Sequence, residues 1–570
     1  MSASPELGVC YYPEHWPEDM WISDAQSMYK NGIRWVRIAE FAWSRIEPEP
    51  KNFDWKWLDK AVDILGNAGL KIVMCTPTAT PPRWLINQMP DMLAVDQNGQ
   101  KRKFGSRKHY SFSHKGYQKE SQRITQAVAE RYGNNSFIQA WQTDNEFGCH
   151  ETTYSWCQSS LQEFRNWLQV KYQSIEKLNE EWGNVFWSME YSSFEDIDLP
   201  NLTVTEANPA HHFAFRRFSS DQVKNFNSQQ VKIINQFSPN RPVSHNYMGH
   251  FVEFDHYKVS KDLDIAAWDS YPLGFLQNMQ SIAREDKKLL FECYNIGDPD
   301  FQAYHHDLYR GMGRLWVMEQ QPGPVNWAKY NPVPLPGAVR MWTWEAFAHD
   351  AEVVSYFRWR QAPYAQEQMH AGLMHCDNSP AMGSKEALQV SKEIQEIKLP
   401  PTQKADIALL HDYEACWMTE IDGQTQDFHY TRLMLDFYKS IRINGGSLDI
   451  VGKNTDFTGY KLIIIPSFVH LDEEIFSRIT LSGAKILAGP RTGVKTNGFQ
   501  IPHNLSLEGL GFKVTRVDAL PQELPIEVEW KGIKGHMNGW REQVQSSGTS
   551  DGKGIDDMPV VTTGNKGSYL

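Results

Sequence analysis

The sequence is short of several things, and each shortage removes a class of protein. Cysteine is sparse, with seven thiols in 570 residues, at positions 10, 75, 149, 157, 293, 376 and 416. An odd and scattered set is no disulfide framework and reads as the reduced thiols of a cytoplasmic protein. No apolar run reaches the roughly 20 residues needed to cross a bilayer. The opening "MSASPELGVCYYPEHWP" has no basic segment followed by an apolar one, as a secretory leader would. Positive charge is in deficit, and a net charge of -12 argues against nucleic acid or an anionic membrane as partner. Residues 396–570 offer no phosphate loop of the G-x-G-x-x-G or G-x-x-x-x-G-K kind. What remains is a globular chain, 41% hydrophobic and 22% charged, suited to a small or neutral ligand.

Single cores stop growing at about 250–300 residues, so two domains are expected. Over the first, 1–395, strand-like runs alternate with amphipathic stretches. The runs are 7–12, 33–38, 70–75, 137–143, 242–247, 263–268, 314–319 and 352–359. They are continuously apolar, as strands covered on both faces of a parallel sheet are. In "FDWKWLDKAVDILGNAGL" Trp55, Leu58, Val62 and Leu65 recur three or four apart, the spacing of one helix face. Eight such units predict an α/β fold, a (β/α)8 TIM barrel, with an open doubly wound sheet as the competing arrangement.

Pro400 and Pro401 mark a linker. Residues 396–570 are expected to form a second, smaller doubly wound α/β domain, with strands at 406–412, 460–466 and 484–490. The turn after its third strand, "GPRTG", carries Arg491 where a nucleophile elbow would need Ser or Cys. The domain therefore reads as structural, an assembly surface. Its last thirty residues, containing "SSGTSDGKG", are expected to be loose.

In such a barrel the chemistry sits at the C-terminal ends of the strands. Glu146 closes the fourth strand in "WQTDNEFG", Glu319 ends the seventh, and Glu367 follows the eighth. Singly, each is an ordinary loop charge. Together, two glutamates on opposed strand tips are what glycosidic hydrolysis needs: an acid for the leaving oxygen and a carboxylate across the anomeric carbon. Glu292 competes with Glu319, because "KKLLFECYN" (287–295) is also an apolar run ending in a carboxylate.

The chain resembles family 42 of the glycoside hydrolases, a β-galactosidase family whose barrel belongs to the clan with an Asn-Glu acid/base pair. The resemblance is carried by "YYPEHWP", "RIAEFAWSRIEPEP", "GSRKHY", "TDNEFGCH", "WDSYP", "MEQQPGPVNW" and "FRWRQAPYAQEQMHAGL" in that order. It implies Glu146 as acid/base, Asn145 as ligand of the sugar 2-hydroxyl and Glu319 as nucleophile. Arg107, Trp327, Glu367 and His370 match galactose-binding positions, and Tyr271 one that orients the nucleophile. It implies no cofactor, a homotrimer assembled through the second domain, and retaining exo-hydrolysis of terminal β-galactosides. The alternatives are a relative cleaving a β-fucoside or α-L-arabinoside, and a catalytically silent sugar-binding protein. Family members often hold zinc with four cysteines; here Ser111, Ser155, Cys157 and Ser160 stand at those positions, and one thiol is too few for a structural site. The acid/base, Glu146, is expected to have the raised pKa of the pair.

Overall fold

The computed structural model describes residues 4–278, 287–503, 506–507, 510–546, 548–554, 558–564 and 567–570. Two compact units emerge: residues 1–160 with 219–402, and residues 161–218 with 403–570. Residues 161–218 thus group with the second unit, although they lie inside the range expected for the first domain. Arg217 is a reason: its guanidinium donates twice to Glu414, at 3.0 and 2.7 Å, and again to Asn497.

The first unit is a closed barrel of eight parallel strands in sequence order. They are β1 (Glu6–Cys10), β2 (Ile33–Ile38), β3 (Lys71–Cys75), β4 (Ile138–Gln142), β5 (Val243–Met248), β6 (Ile265–Ser270), β7 (Arg314–Gln320) and β8 (Val353–Tyr356). Each falls on one of the eight runs read from the sequence, and the ring closes where β1 pairs with β8. The interior is packed by Val73, Ala140, Ile265, Ala267, Trp316, Met318 and Val353. The helix Lys56–Asn67 buries Trp57, Leu58, Ala61, Val62 and Leu65 on one face, each large side chain worth roughly 1.5–3 kcal/mol of transfer free energy. Trp55 precedes that helix at its N-cap rather than joining its buried face.

The run 287–295 is not a strand. Lys287–Cys293 forms a helix, because Leu289, Leu290 and Cys293 pack with Leu276 and Ile296 while Phe291 and Glu292 point to solvent.

The second unit has a parallel core of β9 (Ile407–Leu410), β10 (Leu448–Val451), β11 (Leu462–Ile465) and β12 (Lys485–Ala488). Its helices include Tyr413–Ile421, Tyr430–Ile443 and Glu473–Leu481. The 448–451 strand escaped the sequence reading because a lone Asp449 interrupts its short apolar run. The C-terminal stretch is not loose: Gly539–Ser546 pairs antiparallel with Phe512–Leu520, and Thr549–Gly554 pairs with Pro559–Thr563. Its Gly and Ser residues lie largely inside these strands, Ser546 in the first and Ser550, Gly552 and Gly554 in Thr549–Gly554, where composition alone suggested coil. Arg491, in the turn after β12, adopts left-handed backbone with φ of 62°. Its guanidinium lies 4.8 Å from the Trp540 ring.

Candidate active site

The tip of β4 answers why an apolar strand runs into Asp-Asn-Glu. Asp144 and Glu146 both take positive φ, 52° and 45°, a conformation that costs about 1–3 kcal/mol per non-glycine residue unless its surroundings hold it. Here they do. Asp144 is fully buried and accepts from Thr78 Oγ1 at 2.6 Å, Tyr110 OH at 3.0 Å and the backbone N–H of Asn145 at 2.7 Å. The buried ammonium of Lys108 pairs with its other face. The N–H of Glu146 donates to Asn246 Oδ1 at 3.2 Å, and that of Phe147 to His245 Nε2 at 3.1 Å. Burial lowers the His245 pKa to about 3, so the imidazole stays neutral and Nε2 remains an acceptor. The Asp is a post and the Glu is what it displays.

Glu146 and Glu319 meet at the mouth of the barrel. One oxygen of each lies within 4.8 Å of the other and of an oxygen of Asp269, and all three side chains are buried. Arg37, inside the apolar run of β2, donates to Glu319 Oε1 at 2.6 Å and touches Glu40 Oε1 at 2.8 Å. Tyr271 OH donates to Glu319 Oε2. Asn145 Nδ2 donates to Glu146 Oε2 at 3.1 Å.

Charge is distributed unequally over the pair. Burial raises Glu319, Arg37 opposes it, the charge of Glu146 adds to it, and the carboxyl ends at about 7. Burial, the largest single influence, also raises Glu146, but the combined charges of Arg107 at 2.9 Å, Lys108, His150 and Arg37 outweigh it and hold this carboxyl below its ordinary range. The expectation that Glu146 carries the raised pKa is therefore reversed. The cause is an ion pair that sequence spacing could not reveal.

The other expected residues gather around the same mouth. Trp327 stands edge-on to Tyr271 at 5.6 Å, half exposed, and its ring lies where a Cβ on Gly274 would be, 2.5 Å away. Only glycine leaves room for it. His370 is buried, edge-on to Tyr271 at 5.7 Å, with Nε2 unpartnered. Glu367 receives Arg358 at 3.4 Å and accepts the His370 N–H through its backbone carbonyl at 3.0 Å. Glu292 stays outside, exposed on its helix, 3.9 Å from Lys288. Ser111, Cys157 and Ser160 do come together: Ser160 Oγ lies 3.2 Å from Ser111 Oγ and 3.4 Å from Cys157 Sγ. Ser155 accepts from the Val95 N–H at 3.1 Å. The four positions hold a knot of hydroxyls and one thiol, a poor donor set for zinc.

Four residues of the site were not singled out by the sequence: Arg37, Asn246, Asp269 and Lys108. The signal was present for three of them, as polar side chains inside apolar strands in "IRWVRI", "VSHNYM" and "IAAWDS". A buried charge in such a run needs a partner, and the site is where the partners are.

A closed (β/α)8 barrel that brings two buried carboxyls this close at its strand tips has the pair that a glycoside hydrolase needs. The profile of glycoside hydrolase family 42, described as "Beta-galactosidase", matches residues 10–397, and that of the "Beta-galactosidase trimerisation domain" matches residues 405–567. The chain is 48% identical over 548 residues to a β-galactosidase of Thermus thermophilus, spanning 95% of this chain and 84% of the relative. It superposes on the crystal structure of a β-galactosidase from the psychrophilic Marinomonas ef1 with a TM-score of 0.96 and 47% identity, covering 99% of this chain and 88% of that one. For the polyextremophilic β-galactosidase of Halorubrum lacusprofundi the TM-score is 0.94 and the identity 39%, with coverage of 99% and 86%. The chain belongs to glycoside hydrolase family 42, the β-galactosidase family.

Proposed function

We propose that this chain releases terminal β-D-galactosyl residues from oligosaccharides by retaining double displacement, with Glu319 as nucleophile and Glu146 as acid/base. The observation that carries the reading is the carboxyl pair, whose oxygens approach within 4.8 Å. Retention needs carboxyl groups about 5–5.5 Å apart, whereas inversion needs roughly 6.5–9.5 Å to admit a water.

In the first step a Glu319 oxygen attacks the anomeric carbon, the glycosidic C–O bond breaks, and the proton of Glu146 goes to the leaving oxygen. In the second, water attacks the same carbon, its proton passes to Glu146, and the C–O bond to Glu319 breaks. Arg37 and Tyr271 hold the two oxygens of Glu319 and thereby fix its line of attack. Asn145 and Arg107, which both touch Glu146, are the ligands of sugar hydroxyls beside the acid/base, and Trp327, Glu367 and His370 complete the set. A panel of nitrophenyl glycosides tests the reading. Turnover of the β-galactoside far below that of a β-fucoside or α-L-arabinoside would reassign the sugar.

Two further readings go with it. The chain assembles as a homotrimer, supported by the trimerisation-domain match over 405–567. It works in the cytoplasm, supported by the scarcity and scatter of its seven cysteines; among the described residues no helix is long and apolar enough to cross a membrane.

A further inference from the structure

Asp269 is the third carboxyl of the site, and nothing in double displacement calls for it. It lies near the end of β6, paired across the ladder with Glu319, and is 1% exposed. Its Oδ2 accepts from Asn246 Nδ2 at 2.8 Å, and its Oδ1 has no partner. The same Asn246 amide donates to Asn145 Oδ1 at 3.0 Å, while Asn246 Oδ1 accepts from Gln142 Nε2 at 2.9 Å and from the Glu146 N–H. Asn246 is therefore the joint between the nucleophile side and the acid/base tip, and Asp269 holds one of its hydrogens.

The charges around it do not balance if every carboxyl is ionised. Lys108 answers Asp144, Arg107 answers Glu146, and Arg37 is shared by Glu40 and Glu319. Among the described residues no cation pairs with Asp269. An ionised Asp269 would be a second anion beside a nucleophile that must itself be anionic to attack, in a buried setting where unpaired charge is severely penalised. A neutral acid keeps the hydrogen bond to Asn246 and removes the surplus charge.

Resting on the assignment of Glu319 and Glu146 above, we propose that Asp269 is a positioning residue that works as the neutral carboxylic acid. Its proton stays on Oδ1 while Oδ2 orients Asn246 and, through it, Asn145 and Glu146. Burial, then the charges of Glu319 and Glu146, push this carboxyl well above the usual carboxylate range, with Arg37 and the Asn246 hydrogen bond opposing. The mechanism requires the same division of labour: one carboxyl kept neutral so that its neighbour can be ionised.

Asp269→Asn mimics the neutral acid and Asp269→Ala removes it. With β-galactoside turnover as readout, the Asn variant keeps kcat within about fivefold, while the Ala variant loses about 10- to 100-fold, because the Asn246 hydrogen released by Asp269 has only the long contact to Glu319 Oε1, at 3.4 Å, to turn to. Loss in Asp269→Asn equal to that in Asp269→Ala would show that the ionised form is needed and overturn the proposal. A second measurement needs no variant. The wild-type enzyme is trapped with a 2-fluorogalactoside, and peptide mapping first establishes independently whether Glu319 carries the sugar. Infrared difference spectra of trapped minus free enzyme are then taken in H2O and D2O. A carboxylic-acid C=O band shifts in D2O and an ester band does not. Trapping consumes the one proton that Glu146 gives to the leaving oxygen, so a single acid band is lost, while the Asp269 acid survives as a D2O-sensitive band displaced by the new ester beside it. Absence of any D2O-sensitive acid feature in the trapped enzyme would show Asp269 ionised and overturn the proposal.

Discussion

Arg107 Nη2 lies 2.9 Å from Glu146 Oε2, so the side chain expected to bind a sugar hydroxyl also neutralises the general acid. The pair has consequences for pH. Glu146 must hold a proton to act, and Arg107 favours its ionised form. Glu319 must be ionised, and burial favours its protonated form. The two titrate as one coupled system. In Arg107→Gln the acid/base loses its counter-ion, its pKa rises, and the alkaline limb of kcat/KM moves up by about one pH unit or more. KM rises as well, since a hydroxyl ligand is gone. An unchanged alkaline limb would mean that Arg107 does not govern the protonation of Glu146.

Glu319→Gln should lower turnover by about 10^4-fold or more, since nucleophile and acid work as a unit. Glu292→Gln should stay within about threefold, as expected of an exposed surface substitution. The 2-fluorogalactoside label decides between them by mapping: label on the peptide holding Glu292 would sink the assignment.

The same carboxyl makes stability depend on pH, with a definite sign. The Glu319 pKa is raised in the folded state, to about 7, so the folded protein holds this proton more tightly than the unfolded chain does. Its stabilising contribution is fully present at acid pH and is lost as pH rises through 7. Gln cannot ionise, and Arg37 keeps Glu40 as partner. Glu319→Gln should therefore gain stability over wild type as pH rises from about 4.5 to 8, by on the order of 2–3 kcal/mol at the upper end. Urea unfolding at several pH values reads it. A difference that stays constant over the range would contradict the account.

Much of this was legible in the sequence because barrel strands are long, apolar and bounded by polar turns. Glu146 and Glu319 could be placed at strand ends from their runs alone. What stayed hidden was pairing across the barrel. That Arg37 of β2 reaches Glu319 of β7, or that Arg107 folds back on Glu146, depends on closure of the ring and on loop paths. Asp269 was visible as a charge in "IAAWDS", yet its meaning required the neighbouring strand. Glu292 misled because "LLFEC" is too short to separate a period of two from one of 3.6. The C-terminal strands misled for the opposite reason, since their pairing partners lie in antiparallel neighbours and their composition is that of turns.

The hydroxyl knot around Cys157 predicts no structural zinc. Ser111 and Ser160 bond each other, and Ser160 lies beside the thiol, so the packing that four thiolates would give a metal is made by hydrogen bonds. Cys157→Ala should cost less than about 1.5 kcal/mol, the net worth of a typical hydrogen bond. Metal analysis returning one zinc per chain, unaffected by Cys157→Ala, would reveal ligands elsewhere.

The last prediction concerns assembly. Residues 161–218, which group with the second unit, expose large apolar side chains: Val185 at 76%, Phe186 at 61% and Trp187 at 70%. The two rings pack at 4.9 Å, and Trp187 is held in left-handed backbone with φ of 55°. Apolar groups presented together on a protein surface mark a face that is covered in use. Their unit contains the segment matched by the trimerisation-domain profile, so a second copy of this chain is the cover expected. Wild type should sediment at micromolar concentration as three chains of 65.8 kDa each. Trp187→Asp places a charge in that contact, and a buried Trp at an interface commonly contributes about 2 kcal/mol or more, so the variant should shift toward monomer. Its far-ultraviolet circular dichroism should match that of wild type, since the side chain has little to lose within its own subunit. A wild-type species of 65.8 kDa alone would refute the trimer. A trimer indifferent to Trp187→Asp would move the contact to another face of the second unit.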